Sequence, residues 1–241
     1  MRILADYHTH STFSKWYHAR HTIDQMAQKA EELGLKELAI TDHGPKHYLF
    51  GISKNQIDKA KKQVEEANKK HNVNVLFGIE ANLIGADGSI DLSDEEISKL
   101  DLLLVGYHKA TKTDFVKPFR KRKNYSPQQI KTNTQAYVNA VNKYNIKIIT
   151  HLNEYIPVDV KTVAEACAKR GTIIELNRKH IKFSATDAQA LIESGVDMVI
   201  SSDAHDKNKI AVAGRVADFI KTNNIPLERI KNVDNILNLK K

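Results

Sequence analysis

The first apolar run of the chain ends in two histidines separated by one residue, in the stretch Ile3-Leu4-Ala5-Asp6-Tyr7-His8-Thr9-His10. Successive side chains of an extended strand point to opposite faces, so His8 and His10 share a face and lie about 7 Å apart along the chain. Two imidazoles at one strand end can bind a metal ion when other strands supply further ligands. The stretch predicts a strand over residues 2–8 and a candidate metal site just beyond it.

The same succession of apolar strand, loop and amphipathic helix recurs seven times along the chain. The predicted strands span residues 2–8, 37–41, 74–79, 101–106, 146–150, 172–176 and 198–201. The predicted helices begin near Thr22, Lys54, Asp94, Ser126, Val160, Asp187 and Ile210. The fourth strand is a continuous apolar run, which is typical of a parallel strand buried on both faces. Seven such units predict a closed or nearly closed parallel barrel, and a doubly wound open sheet is the alternative.

Length and composition limit the class of protein. With strands and helices alternating throughout and no low-complexity linker, residues 1–241 are predicted to form one α/β domain. No apolar run reaches about 18 residues, so no membrane span is expected, and charge interrupts the first residues too early for a signal peptide. The single cysteine, Cys167, permits no intrachain disulfide, which predicts a reducing, cytoplasmic location.

The charge balance favours anionic partners. The chain has 37 Lys and Arg residues against 29 Asp and Glu residues, a formal charge of +8. Such a balance suits phosphorylated metabolites, nucleic acid or acidic polymers. Many of the cations lie in the loop after the fourth strand, residues 109–124, together with Phe115 and Phe119. This loop is predicted to be either a substrate lid that follows phosphates and stacks bases or a mobile surface loop.

Residues with metal-binding side chains follow almost every predicted strand. In parallel barrels, functional groups lie at the carboxyl ends of the strands and in the loops that follow. Those positions hold His8 and His10; Asp42 and His43; Glu80; His108; His151; Asn177; Asp203 and His205. The chain has 11 histidines in 241 residues, so histidine at five of the seven strand exits is far above chance. The pattern predicts a site for more than one metal ion.

These positions carry a resemblance to a known family. The motifs are Asp6-Tyr-His-Thr-His10, Thr41-Asp-His-Gly-Pro45, Gly78-Ile-Glu-Ala-Asn82, Gly106-Tyr-His108 and Ser202-Asp-Ala-His205. With these motifs in this order, nearly the whole chain resembles the PHP (polymerase and histidinol phosphatase) domain family, most of all its stand-alone YcdX-like phosphatase branch. The resemblance implies a distorted (β/α)7 barrel of TIM-barrel type that holds three divalent metal ions, usually zinc, with manganese or iron in some members.

Carried over by matched position, the resemblance also implies a ligand set. One ion would be bound by His8, His10, Glu80 and Asp203, a second by Glu80, His108 and His151, and a third by His18, His43 and His205. His18 lies in the first loop, farther along the chain from His10 than the family spacing implies. His21 is therefore the alternative ligand at that position.

The residue types agree with this set on chemical grounds. Seven imidazoles and two carboxylates without a thiolate suit Zn²⁺ best, with Mn²⁺ or Fe²⁺ as alternatives. Clustered divalent ions lower the pKa of bound water and hold the attacking and leaving oxygens of a phosphate ester. The predicted reaction is phosphomonoester hydrolysis with a metal-bridging hydroxide as nucleophile. Asp6 and Asp42 are expected to orient imidazoles, and Asp42 is also the candidate catalytic residue, as a ligand or in proton transfer.

Cationic side chains are expected to bind the rest of the phosphate. Arg20, Arg178 and Lys109 are the candidate substrate-binding residues, because each follows a predicted strand and a guanidinium pairs bidentately with phosphate. Trp16, in the first loop, is expected either to stack on a sugar or base or to pack on the barrel rim. The loop histidines at 47 and 180 are expected to be surface residues.

Three further functions stay open from the residues alone. A phosphodiesterase or exonuclease on nucleic acid is a second enzyme hypothesis, motivated by the basic loop and the net charge. Histidinol phosphate is a substrate that the resemblance allows. A non-catalytic, metal-stabilised scaffold is the third possibility, and the complete ligand set argues against it. The preferred partner is a phosphorylated small molecule, and no prediction of the oligomeric state is made.

Overall fold

The computed structural model describes residues 2–117, 119 and 125–237. Its centre is a sheet of seven parallel strands in which each strand pairs with its neighbours in chain order. The strands are β1 (Ala5–Thr9), β2 (Glu37–His43), β3 (Asn74–Asn82), β4 (Leu102–Gly106), β5 (Ile148–Ile149), β6 (Ile173–Asn177) and β7 (Met198–Ser201). This sequential order confirms the predicted (β/α)7 barrel, because the strand order of a doubly wound sheet reverses at a switch point.

Helices connect the strands. They are α1 (Ile23–Glu32), α2 (Ile57–Lys70), α3 (Asp94–Ser98), α4 (Pro127–Lys143), α5 (Val160–Arg170), α6 (Ala185–Glu193) and α7 (Val216–Thr222). Helices α1, α3, α4 and α6 each begin with a capping box. The last helix begins at Val216 instead of the predicted Ile210, because Ala211 and Gly214 adopt positive φ angles that an α-helix cannot contain. Among the described residues, no helix is long and apolar enough to cross a membrane.

The barrel interior changes from apolar to polar along the strands. Inward-facing side chains near the amino ends of the strands form a buried apolar cluster of Ala5, Tyr7, Ala39, Leu76, Leu102, Leu104, Ile148, Ile173 and Val199. A larger apolar cluster fills the space between strands and helices. Further along the strands the inward positions become polar, as at Glu80 in β3 and Glu175 in β6. The apolar cluster therefore forms a floor beneath a buried polar site.

A β-bulge in β1 determines where its two histidines point. Asp6 pairs with Leu38 and Thr9 pairs with Ile40, so β1 advances three residues where β2 advances two. Tyr7 belongs to the cluster inside the barrel, so regular alternation would send His8 to the outer face. The extra residue instead lets His8 point inward, where its ring reaches Glu80 and Glu175.

An asparagine side chain closes the seam between β1 and β7. Asn232 Nδ2 donates to the carbonyl oxygens of Ala5 at 2.8 Å and of Ile200 at 2.7 Å, and its Oδ1 accepts from the Ile200 N–H at 3.0 Å. The Asn232 carbonyl accepts from the Leu4 N–H at 2.9 Å. Asn232 is fully buried, and flanking bridges join residues 230 and 233 to β7 and to the start of the chain. Residues 230–233 thus take the place of an eighth strand.

Candidate metal centre

Four side chains from three strand ends meet inside the barrel. His8 Nε2 lies 3.1 Å from His10 Nε2 and 3.3 Å from Glu80 Oε2. His10 Nε2 lies 3.2 Å from Asp203 Oδ1, and the remaining imidazole–carboxylate separations are 3.7 and 3.8 Å. Tetrahedral ligands at about 2.0–2.1 Å from a zinc ion lie about 3.3–3.4 Å from one another. The four ligand atoms therefore have the spacing that one ion requires.

The other oxygen of Glu80 belongs to a second group of ligand atoms. Glu80 Oε1 lies 2.8 Å from His151 Nε2 and 3.2 Å from His108 Nε2, and these two nitrogens are 3.3 Å apart. The Thr150 hydroxyl donates to the same oxygen at 2.8 Å. One carboxylate thus lies between two sets of imidazoles, which is the arrangement of a bridging ligand.

A third group of imidazoles lies beside the first. The His18 ring centre is 4.1 Å from that of His205 and 5.2 Å from that of His43, and the His205 ring stacks on His10 at 4.3 Å. Ligand nitrogens of His10, His43 and His205 lie within 4.8 Å of one another. The His21 Nδ1 instead accepts the backbone N–H of residue 207. Of the two alternatives in the first loop, the structure brings His18 into the cluster.

Burial and mutual charge set the protonation states. Burial raises the pKa of Glu80, but the imidazoles of His108, His8 and His151 outweigh it and hold this pKa well below the usual value. Burial likewise opposes ionisation of Asp203, and neighbouring imidazoles lower its pKa well below the usual value. Burial lowers the pKa of the His10 imidazole to about 3. Ionised carboxylates and neutral imidazoles are the forms that bind metal ions.

Glu175 holds two of these imidazoles in place, and sequence reasoning missed it. Its Oε1 is 2.7 Å from His8 Nδ1, and its Oε2 accepts the backbone N–H of His151 at 2.6 Å and an Asn177 amide N–H at 3.1 Å. Hydrogen bonds of this kind fix the orientation of a ligating imidazole and raise its basicity. Its position in the strand could have identified it, because Glu175 lies two residues before Asn177 at the strand exit and therefore points to the same inward face.

Asn82 acts in the same way on another imidazole. His108 Nδ1 is 2.8 Å from the Asn82 side-chain oxygen, which also accepts from the Thr111 hydroxyl. The Asn82 amide in turn donates to Asp91 at 2.6 Å. A buried network therefore directs the other nitrogen of His108 toward Glu80.

Asp42 and Asp6 each accept hydrogen bonds from residues of a loop. The Asp42 carboxylate accepts from the hydroxyls of Ser11 and Ser14, each at 2.6 Å, and from the Ser11 N–H at 2.8 Å. Burial raises the pKa of Asp42 to about 6 despite these bonds. Asp6 accepts backbone N–H groups of Ser202 and Ala211. Both carboxylates thus hold the backbone of loops that carry the imidazoles, and a catalytic role of Asp42 stays a prediction.

A cavity of about 360 Å³ opens onto the three groups. Its lining is His18, His43, His47, Phe50, His108, His151, Tyr155, Lys179, His180, Asp203 and His205. The expectation that His47 is a surface residue is wrong, because it is only 7% exposed and stacks on His43 with 4.9 Å between ring centres. Burial lowers its pKa to about 2. His180 also faces the site, with Nε2 3.8 Å from Asp203 Oδ2.

The candidate substrate-binding cations lie around the cavity rather than in its lining. Arg178 donates from Nε to the Ser202 carbonyl at 3.1 Å, and Arg20 is exposed. The Lys109 ammonium lies 5.1 Å from the ring centre of Tyr155. The cation that the structure does place in the lining, among the residues it describes, is Lys179. Of the basic loop, residues 118 and 120–124 lie outside the described residues, so the lid prediction is not tested there.

Comparisons with known proteins assign the family. The family model described as PHP domain matches residues 6–228. A probable phosphatase of Yersinia enterocolitica is 31% identical over 242 residues, which cover 95% of this chain and 89% of that protein. Probable phosphatase YcdX of Shigella flexneri is 30% identical over 246 residues, with 95% and 89% coverage. This chain belongs to the PHP domain family.

A solved structure agrees with the fold. The histidinol phosphate phosphatase of Lactococcus lactis, determined with zinc, L-histidinol and phosphate, superimposes with a TM-score of 0.60 over 93% of this chain and 95% of its own. The sequence identity is 16%, so this likeness concerns the fold alone. The barrel predicted from the strand pattern is therefore also the fold of this solved structure.

Proposed function

We propose that this chain is a metal-dependent phosphoesterase that hydrolyses phosphomonoesters of small molecules with three divalent ions, preferably Zn²⁺. The observation that carries the proposal is Glu80, whose two oxygens face His8 and His43 on one side and His108 and His151 on the other. Membership in the PHP family, and relatives named probable phosphatases, support hydrolysis of phosphate esters.

Buried atoms without hydrogen-bond partners fit such ions. Among the described residues, these include Nε2 of His205, and also Nδ1 of His43 and Oε2 of Glu80, which lie 2.9 Å apart without hydrogen-bond geometry. Unpaired polar atoms in a protein interior are rare and costly, and here they lie together in one nitrogen-rich cluster. A cation is the partner that imidazole and carboxylate lone pairs share, and this donor set suits Zn²⁺, with Mn²⁺ or Fe²⁺ as alternatives.

The residues that would hold the ions fall into three groups around Glu80. They are His8, His10, Glu80 and Asp203; Glu80, His108 and His151; and His18, His43 and His205. When bound there, divalent ions lower the pKa of water and neutralise the charge that builds on phosphoryl oxygens. Asp203 and Glu80 are held ionised and His10 neutral. Burial lowers the pKa of His8, but the Glu80 and Glu175 carboxylates outweigh it and raise this pKa well above its usual value, so metal binding by His8 releases a proton.

Other lining residues would orient the substrate. His47 Nδ1 accepts the Phe50 backbone N–H at 3.0 Å, so the neutral ring carries its proton on Nε2. Because His47 is one of the residues that line the cavity, we propose this N–H as a donor to a phosphoryl or leaving-group oxygen. Lys179 supplies a positive charge at the same cavity. Arg20, Arg178 and Lys109 remain candidates for contacts with the part of the substrate outside it.

The role of Asp42 in the proposal is to hold the first loop. Its bonds to Ser11 and Ser14 fix the segment that leads to His18. A carboxyl whose pKa burial raises to about 6 can also exchange a proton near neutral pH. In addition to this structural role, we propose that Asp42 takes part in proton transfer.

The test measures metal content and hydrolysis together. Purified protein is assayed for bound metal and for cleavage of a panel of phosphomonoesters and phosphodiesters, before and after chelation. We expect bound transition metal, cleavage of monoesters and loss of both in Glu80→Gln, with exposed Glu65→Gln as the control. Unchanged hydrolysis by metal-free protein would contradict the proposal. Preferential cleavage of diesters that falls with added salt would favour the nucleic-acid alternative.

A further inference from the structure

Two loops beside the cavity present exposed rings and apolar side chains. Trp16 and Tyr17 follow β1 and are 77% and 95% exposed, and Tyr48 and Leu49 follow β2 and are 55% and 46% exposed. We call these four residues, three of which are aromatic, the aromatic rim. Each pair adjoins, in sequence, an imidazole that lines the cavity. The expectation that Trp16 packs on the barrel is wrong, because its ring faces solvent.

The first half of the aromatic rim is a strained turn. The His18 N–H donates to the Lys15 carbonyl at 3.2 Å, and the two central residues, Trp16 and Tyr17, have φ angles of 59° and 54°. Both central residues thus have positive φ, as in a type I′ turn, and such positions favour glycine and asparagine because bulky side chains clash with the backbone there. Two aromatic residues occupy it and leave their rings exposed, so burial does not account for them.

Backbone hydrogen bonds join the aromatic rim to a basic recess. The Lys15 N–H donates to the Phe50 carbonyl at 3.2 Å, and the Tyr48 N–H donates to the Ala110 carbonyl at 2.8 Å. Tyr48 also lines a second recess, of about 520 Å³. The recess is lined by Tyr48, Lys112, Thr113, Asp114, Phe115, Val116, Lys117 and Gln129.

The charges of the recess favour an anion. Lys112 and Lys117 are exposed there. The carboxylate of Asp114 is engaged, because its Oδ1 accepts the Ala86 backbone N–H at 2.8 Å. Tyr48 and these lysines therefore line one recess, and His47, the residue before Tyr48, lines the cavity. Rings that stack on bases, combined with cations that follow phosphates, are the features of nucleotide recognition.

We infer that the aromatic rim binds the base of a nucleotide whose phosphomonoester enters the metal cavity, while the lysines of the recess attract the negatively charged ligand toward this side of the protein. The inference rests on the proposed function and narrows its substrate class. A nucleotide combines a flat base with a negatively charged phosphate ester in one molecule. A sugar phosphate lacks the flat surface, and an uncharged apolar ligand is not attracted by the lysines.

The single tryptophan of the chain provides a direct binding assay. Trp16 fluorescence is titrated with adenosine monophosphate and, as the matched ligand without a base, ribose 5-phosphate. We expect saturable quenching by the nucleotide only. Tyr48→Ala should raise the nucleotide dissociation constant about 5- to 100-fold, because stacking contributes that much per base. Tyr48→Phe should retain binding, and Leu227→Ala, which truncates an exposed leucine after α7, is the control.

Hydrolysis of both ligands is measured in parallel with the metal-loaded protein. The Tyr48→Ala variant should lower kcat/KM for the nucleotide by a similar factor and leave that for ribose 5-phosphate unchanged. Equal quenching by both ligands, or equal effects of Tyr48→Ala and Leu227→Ala, would overturn the inference even if both esters are cleaved. Nucleotide binding that depends on Tyr48 without any hydrolysis would support the rim and contradict the proposed function.

Discussion

Replacing Glu175 with glutamine tests how the metal centre is held together. All three groups that contact this carboxylate are donors: His8 Nδ1, the His151 backbone N–H and the Asn177 side-chain amide. His8 carries a proton on Nδ1 because the Glu175 carboxylate oxygen, 2.7 Å away, can only accept. Glutamine has the same shape but only one acceptor oxygen. Whichever way its amide turns, its NH₂ group faces a buried N–H of His8 or His151.

The expected loss follows from that unpaired contact. A buried donor without a partner costs about 1–3 kcal/mol. Loss of an outer hydrogen-bond partner typically weakens metal binding about 10- to 100-fold, which corresponds to about 1.4–2.7 kcal/mol. The two estimates agree, so we expect the Glu175→Gln variant to bind its most weakly held ion at least about tenfold less tightly.

Metal affinity is measured by competition with a chromogenic chelator, and the melting temperature of the metal-free protein is measured alongside it. Glu165→Gln, which changes an exposed glutamate on α5, is the matched control. We expect a weaker metal affinity in Glu175→Gln but not in Glu165→Gln. Metal affinity equal to that of the unmodified protein, in a variant that folds normally, would refute the reasoning that Glu175 orients His8 and His151.

Three further predictions concern the cavity and the seam. His47→Phe should lower kcat about 100-fold with unchanged metal content, because the stack on His43 is kept and the Nε2–H donor is lost. Steady-state kinetics and metal analysis test this. Lys179→Ala should raise KM for a phosphomonoester about tenfold, and Arg178→Ala should raise it less, because of these two cations Lys179 is the one that lines the cavity. Equal KM values for the two variants would contradict the assignment. Asn232→Ala should lower the free energy of unfolding by about 2–4 kcal/mol, measured in urea, because it leaves backbone groups of Ala5 and Ile200 unpaired.

Strand order and the strand-exit residues could be predicted from the sequence because both depend on local patterns. Apolar runs between amphipathic helices identify parallel strands, and their carboxyl ends meet at one end of a barrel. For this reason His108 and His151, far apart in the chain, were expected together, and the structure places their nitrogens 3.3 Å apart. The predicted start of the last helix, Ile210, was wrong because the apolar pattern continues through residues 210–215 although the backbone there is not helical.

Features that depend on one residue of register could not be predicted. The residue types of β1 do not reveal its bulge. Without the bulge, His8 would face the helices rather than Glu80. Glu175 resembles any glutamate within a strand until the barrel brings it to His8. Burial of His47 likewise depends on how its loop folds back onto His43. Long-range packing, rather than local composition, decides these positions.

The seam at Asn232 has a consequence for the order in which the protein matures. Synthesis proceeds from the amino terminus, so the histidines of β1 leave the ribosome long before the residue that joins this strand to β7. Until Asn232 emerges, the sheet lacks the three side-chain hydrogen bonds that this residue makes to Ala5 and Ile200, although the Ala204 carbonyl, which accepts the His10 N–H at 2.9 Å, is already present. The barrel around the candidate metal centre is therefore fully closed only once the last part of the chain has been made.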